Sequence, residues 1–152
     1  AFCLVPENRT EVTTEGGLDV VRELSRLQET VPGLAERGGE VSLFVDPDLA
    51  QLDASKASGA TFVELHTGRY ALTSGAEQEQ ELKRLQDAAQ HALNIGLRVN
   101  AGHGLDYENV TPITRLQGVE ELNIGFAIVA HAVFVGVAPA IGEMRALMNA
   151  DQ

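Results

Sequence analysis

The sequence predicts an α/β fold built on a parallel sheet, and three observations carry that prediction. Short apolar runs rich in valine and leucine occupy residues 2–5, 41–45, 61–65, 97–100 and 121–124. Segments with helical periodicity separate them. The connections between these pieces are short. Strand, helix, strand, helix in repetition is the pattern of right-handed βαβ units. Two architectures share it: an open doubly wound sheet, and a (β/α)8 barrel of which this chain holds a part. In both, ligands bind at the carboxyl ends of the strands.

The chain opens on Phe2-Cys3-Leu4-Val5 with no basic leader and no Met, so it is expected to enter in mid-strand rather than through a signal peptide. A polar loop follows, ending in Thr13-Thr14-Glu15-Gly16-Gly17, either a ligand loop or a capped helix entrance. Val20, Val21, Leu24, Leu27 and Val31 mark one face of a helix from about Leu18, expected to break near Pro32-Gly33. Past the run at 41–45, Asp46-Pro47 reads as an N-cap with proline in the first turn of a helix over 47–58, closed by Gly59.

The run at 61–65 leads to a helix over 77–94, with Leu82, Leu85, Ala89, Ala92 and Leu93 on one stripe and Gly96 as its stop. A short helix over 109–116 follows the run at 97–100. After 121–124, residues 126–134 read as an extra helix. A closing helix spans 138–149, with Ile141, Met144, Arg145 and Met148 at helical spacing. The five runs show little polar alternation, which predicts strands covered on both faces. No linker or second domain interrupts residues 1–152, which read as one domain.

Composition narrows the function. A net charge of −11 argues against a nucleic-acid surface, because phosphate backbones need clustered Lys and Arg. No apolar stretch approaches the roughly 18 residues a membrane helix needs. Cys3 is the only cysteine, which rules out an internal disulfide and a thiolate zinc site and fits a reducing cytoplasm. Lys56 and Lys83 both fall within helices, away from strand ends, which disfavours Schiff-base chemistry. The glycine signatures of nucleotide sites are absent.

The strand ends carry the candidates. Glu64 lies inside a buried strand, where a carboxylate must be paired or work on a ligand; burial would raise its pKa toward acid–base use. His66, two residues on, is ambiguous between a backbone partner and a ligand group. His103 stands between Gly102 and Gly104, in a loop whose backbone can approach a ligand and expose its N–H groups. His91 falls within a helix and reads as surface. Gly125, between a strand and a helix, reads as an anion site, so Gly102, Gly104 and Gly125 are expected to form one phosphate cradle. A metal set of His66, His103 and Glu64 has no diagnostic spacing, and no metal site is assigned.

The stretches CLVPENRTEVTTEGGLDV, VSLFVDPD, FVELHTGRYA, VNAGHGLDYENV and ELNIGFAIVAHAVFVG resemble, in order and over essentially the whole chain, the pyridoxine 5′-phosphate synthase family. The resemblance implies a (β/α)8 TIM barrel of which about the last five βα units are present, making residues 1–152 the C-terminal part. It implies a cytoplasmic, transferase-type enzyme of vitamin B6 synthesis. That enzyme condenses 1-deoxy-D-xylulose 5-phosphate with 3-amino-2-oxopropyl phosphate to pyridoxine 5′-phosphate, phosphate and water. It also implies a homo-oligomer, commonly an octamer, and no redox cofactor.

By residue, the resemblance makes His103 a proton donor and Glu64 an active-site carboxylate. Gly104 becomes a substrate contact, Thr13 a ligand of the deoxyxylulose phosphate and Gly125 a phosphate ligand. Phe126 stands in the phosphate loop where the family usually has histidine. The family's early strands carry a further catalytic histidine and glutamate with no counterpart here, so the chain by itself is expected to be inactive without a complementary half or second copy. A noncatalytic phosphate-binding module and a different sugar-phosphate barrel enzyme are the alternatives.

Overall fold

A computed structural model of the chain describes residues 1–6 and 16–150. Its sheet has five parallel strands: β1 (Phe2–Leu4), β2 (Val41–Val45), β3 (Phe62–His66), β4 (Arg98–Gly102) and β5 (Val119–Asn123). They lie side by side in sequence order, with β1 and β5 at the two edges. A doubly wound sheet reverses its strand order at a switch point. Here the order never reverses, so successive crossovers of one hand place their helices on one face.

The helices are α1 (Val20–Ala35), α2 (Leu49–Ala57), α3 (Gly68–Leu72), α4 (Gly75–Asn94) and α5 (Val110–Thr114) between the strands, with α6 (Phe126–Val135) and α7 (Val137–Asn149) after β5. Along the sheet α1 packs on α2 and α2 on α4. The strands alternate sharply between faces. Val41, Leu43, Val45, Val63, Leu65, Val99 and Ala101 enter the core beneath Val20, Leu27, Leu52, Leu85 and Ala89. Each fully buried Val or Leu contributes about 1.5–3 kcal/mol by leaving water. The intervening Ser42, Phe44, Glu64, His66 and Asn100 are also buried but lie outside that core. The expectation of little alternation is therefore corrected: one face is apolar and the other carries most of the polar groups.

Local differences have local causes. The first helix runs through Pro32 to Ala35 instead of breaking there. Pro32 lies in the last turn, where its missing N–H costs one bond, and buried Val31 with the partly buried Leu34 ties that turn to the core. The helix after β2 begins two residues later than expected. Its N-cap is Asp48, whose Oδ1 accepts from Ala50 N–H (2.8 Å), and Asp46 is left for other work. The short α3 had no counterpart among the helices expected from the sequence; buried Tyr70 anchors it by donating its hydroxyl hydrogen to Asn109 O (2.8 Å). A register irregularity at Val99/Asn100 sets Glu120 out of step in β5, where it pairs with Arg98.

Candidate active site

The site is built on the pairing of β3 with β4. Register sets Glu64 beside Asn100 and His66 beside Gly102, so both polar groups of β3 project from the face opposite the core. A side chain at residue 102 would place its first carbon 2.6 Å from Glu64 Oε1 and 2.9 Å from Asn123 Cβ. Glycine there leaves room for the carboxylate. Gly102 itself is buried against that carboxylate.

Just past Gly102 the chain turns through His103, whose φ of +85° is the only positive value among the described non-glycine residues. Such a conformation costs an ordinary residue roughly 1–2 kcal/mol. A buried threonine holds it. Thr67 Oγ1 lies 2.7 Å from Gly102 O and 2.6 Å from His103 O, sharing its single hydrogen, and Thr67 N–H donates to Gly102 O at 2.9 Å. On the other side Asn109 Nδ2 donates to Gly104 O (3.1 Å), while Asp106 Oδ1 accepts from the N–H groups of Glu108 and Asn109. His103 is therefore fixed from two directions.

A cavity of about 690 Å³ opens beside it, lined by Glu64, His103, Gly104, Asn123, Gly125 and Phe126. Gly125 precedes α6, and the first N–H groups of that helix have no intrahelical acceptor. Phe126 puts an exposed ring at the mouth. Glu64 is buried, and that burial pushes its pKa up. Hydrogen bonds from Cys3, whose Sγ lies 3.4 Å from Oε2, and from Asn123 work against the rise, as does His66. Burial and the neighbouring carboxylate raise the Cys3 thiol to about 12, so Cys3 stays protonated and donates. His103 is pushed down, first by burial and then by the charge of His66.

On the far side of His103 a second cavity of about 710 Å³ is lined by Asp46, His66, Arg69 and Arg84 among others. Buried His66 places Nδ1 2.8 Å from Asp46 Oδ1, and that contact chiefly lowers the Asp46 carboxyl. Asp46 was expected as a helix cap, and His66 was left open; together they form a pair. Thr67 had no signal in the sequence beyond its place after a strand. The i, i+2 spacing of Glu64 and His66 on one strand was the available clue. His91, expected as plain surface, bonds Asp53 at 2.7 Å, and His131 bonds Glu143 at 2.7 Å.

The structure gathers Glu64, His103, Gly104, Gly125 and Phe126 around one cavity. Thr13 lies outside the described residues. Among the described residues no cluster of three or more His, Cys, Asp and Glu side chains is placed to hold a metal ion. Ser42 Oγ and Asn100 Oδ1 are buried on the polar face without a hydrogen-bond partner among the described residues.

Fold and site together define a singly wound α/β protein with acid–base side chains and glycine-lined backbone at its strand carboxyl ends. Residues 1–150 match the family described as pyridoxal phosphate biosynthesis protein PdxJ, and the chain belongs to that family. It is 57% identical over 147 residues to the pyridoxine 5′-phosphate synthase of Synechococcus sp. (strain JA-2-3B'a(2-13)), with 96% of this chain and 62% of that protein covered. The enzyme of the same name from Parasynechococcus marenigrum (strain WH8102) is 57% identical over 146 residues, covering 96% of this chain and 59% of that one. The chain thus spans about three-fifths of the length of these relatives. In the crystal structure of the Amycolatopsis orientalis BexX/CysO complex, a chain superposes with a TM-score of 0.53 at 15% identity, covering 90% of this chain and 54% of that one. That likeness concerns the fold alone.

Two outcomes follow from this geometry. Thr67→Val should cost about 1–3 kcal/mol in urea unfolding, because two carbonyls lose a shared buried donor, while Thr67→Ser keeps most of the stability. A loss in Thr67→Val no larger than that in Thr67→Ser would show that the hydroxyl does not hold the loop. For Glu64, a raised pKa means the fold holds more protons than the unfolded chain. Its contribution is complete below the ordinary glutamate value and is lost as pH rises through the raised one. Glu64→Gln should flatten that fall as pH rises above the ordinary glutamate value of about 4. An identical pH slope in both proteins would clear Glu64 of the effect.

Proposed function

We propose that this chain supplies the strand-end half of a pyridoxine 5′-phosphate synthase site. The reaction is condensation of 1-deoxy-D-xylulose 5-phosphate with 3-amino-2-oxopropyl phosphate, yielding pyridoxine 5′-phosphate, phosphate and water. The observation that carries this reading is the convergence of Glu64, His103, Gly104 and Gly125 on one cavity, in a chain of this family. Backbone N–H groups near Gly104, Gly125 and the start of α6 would take a phosphate without any lysine. His103 would carry protons during carbonyl condensation and dehydration. Glu64 would stabilise or accept charge across from it, and Thr13 would contact the deoxyxylulose phosphate.

On this reading residues 1–152 form one domain, the last five βα units or so of a (β/α)8 barrel. The protein is cytoplasmic and homo-oligomeric, commonly an octamer. No helix among the described residues is long and apolar enough to cross a membrane. Both sheet edges are open and the polar face keeps unpartnered groups. Turnover is therefore expected to need further strands over that face, from additional polypeptide or a second copy. Phe126, which offers no side-chain hydrogen bond at the cavity mouth, favours a phosphate-binding module without catalysis, as does the lack of the family's early strands.

In the active assembly His103→Ala should lower turnover by about 10²–10⁴-fold, the usual worth of a positioned acid–base group, while phosphate-ester binding survives. Unchanged turnover would remove His103 from catalysis. Binding of both phosphate esters with no turnover in any assembly would favour the binding module.

A further inference from the structure

Three rings meet behind the cavity. Phe44, His66 and His103 form a triangle, with centroids 5.0 Å apart for Phe44–His66, 6.3 Å for Phe44–His103 and 5.1 Å for His66–His103. The two imidazole planes stand at 68° to each other. Gly68, the first residue of α3, closes over them. A carbon branching from it would come within 2.4 Å of His66 Nε2 and 3.1 Å of His103 Cδ2. The buried His66 ring thus sits against Gly68, and the exposed His103 ring rests on it, one on β3 and one just beyond β4.

Asp46, at the end of β2, fixes the first of them. Its Oδ1 sits 2.8 Å from His66 Nδ1, and it also accepts from Gly17 N–H at 3.2 Å. An ionised Asp46 requires the proton of His66 to sit on Nδ1, whichever charge the ring carries. Proton exchange at His66 is then confined to Nε2, the nitrogen on the Gly68 and His103 side. Two imidazoles at this distance sense each other's charge.

We propose that Asp46 and His66 form a positioning pair for His103: the carboxylate fixes the His66 ring, and that ring fixes both the orientation of the His103 imidazole and the charge beside it. This rests on the reading of His103 as the proton carrier of the site and adds to it the groups that set its behaviour. The other charged groups facing His103 are Glu64 from β3 and Asp106 from the loop after β4 across the first cavity. Arg69 from α3, with Glu81 and Arg84 from α4, faces it across the second. Glu81 is neutralised by both arginines, at 3.1 Å from Arg69 Nε and 2.7 Å from Arg84 Nη1. His66 is the titratable group whose ring touches that of His103.

Imidazole NMR titration of this chain without substrate tests the pair. In the unmodified protein His66 should show the Nδ1–H form. His66→Phe keeps a ring in the triangle but removes the charge, and the His103 midpoint should rise by about half a pH unit or more. Asp46→Asn should release the fixed Nδ1–H form of His66 and alter the His103 titration with it. His91→Phe, which ends the distant pair with Asp53, should leave His103 unmoved. An unchanged His103 midpoint in folded His66→Phe, or an Nε2–H form of His66 in the unmodified chain, overturns the proposal. The second readout needs no variant and decides the matter if His66→Phe does not fold. A shifted His103 together with normal turnover in His103→Ala would end the catalytic reading and leave the pair. Lost turnover in His103→Ala with no shift in His66→Phe would do the reverse.

Discussion

The site depends on the seam between β3 and β4. Five consecutive residue pairs, from Phe62↔Arg98 to His66↔Gly102, lock two parallel strands in register. That register alone decides that Glu64 and His66 share a face with Gly102. A slip of one residue would turn Val63 and Leu65 toward the site and bury two ionisable groups under the helices. The apolar core beneath holds the seam against that slip. Thr67, the next residue, then reaches across and bonds the backbone that carries His103. Stability on one face and geometry on the other are set by the same pairing.

Burial acts in opposite directions on Glu64 and His103. Burial raises the proton affinity of Glu64 and lowers that of His103, so their values move toward each other. The backbone around Gly104 and the start of α6 lies in the same cavity, so an anion held there would sit beside both groups. The cavity lining holds no lysine or arginine and the chain carries a net charge of −11, so an anion there would have to be held by backbone N–H groups.

Much of this was legible in the sequence. Apolar runs placed all five strands to within two residues, because buried strands need contiguous β-formers. Gly102-His103-Gly104 and Gly125 marked strand ends, where the structure leaves His103 and Gly104 exposed. The failures share a cause. Asp46 before Pro47 satisfies the local rule for an N-cap, but the structure uses Asp48 for that purpose, and only the distant β3 reveals the partner of Asp46. Thr67 is indistinguishable in sequence from any hydroxyl after a strand, since its role is to bond a loop 36 residues away. The polar face was missed because Ser42 and Asn100 are single residues within apolar runs, and their alternation shows only when strands are aligned side by side.

The central claim is that one cavity joins a phosphate cradle to an acid–base pair. Amide-resolved NMR titration of the chain with a simple phosphate monoester tests it most directly. The account predicts that the amides of Gly104, Gly125 and Phe126 shift together, in step with the His103 ring. Shifts confined to the Arg69 and Arg84 side, or movement of Gly104 without Gly125, would contradict it.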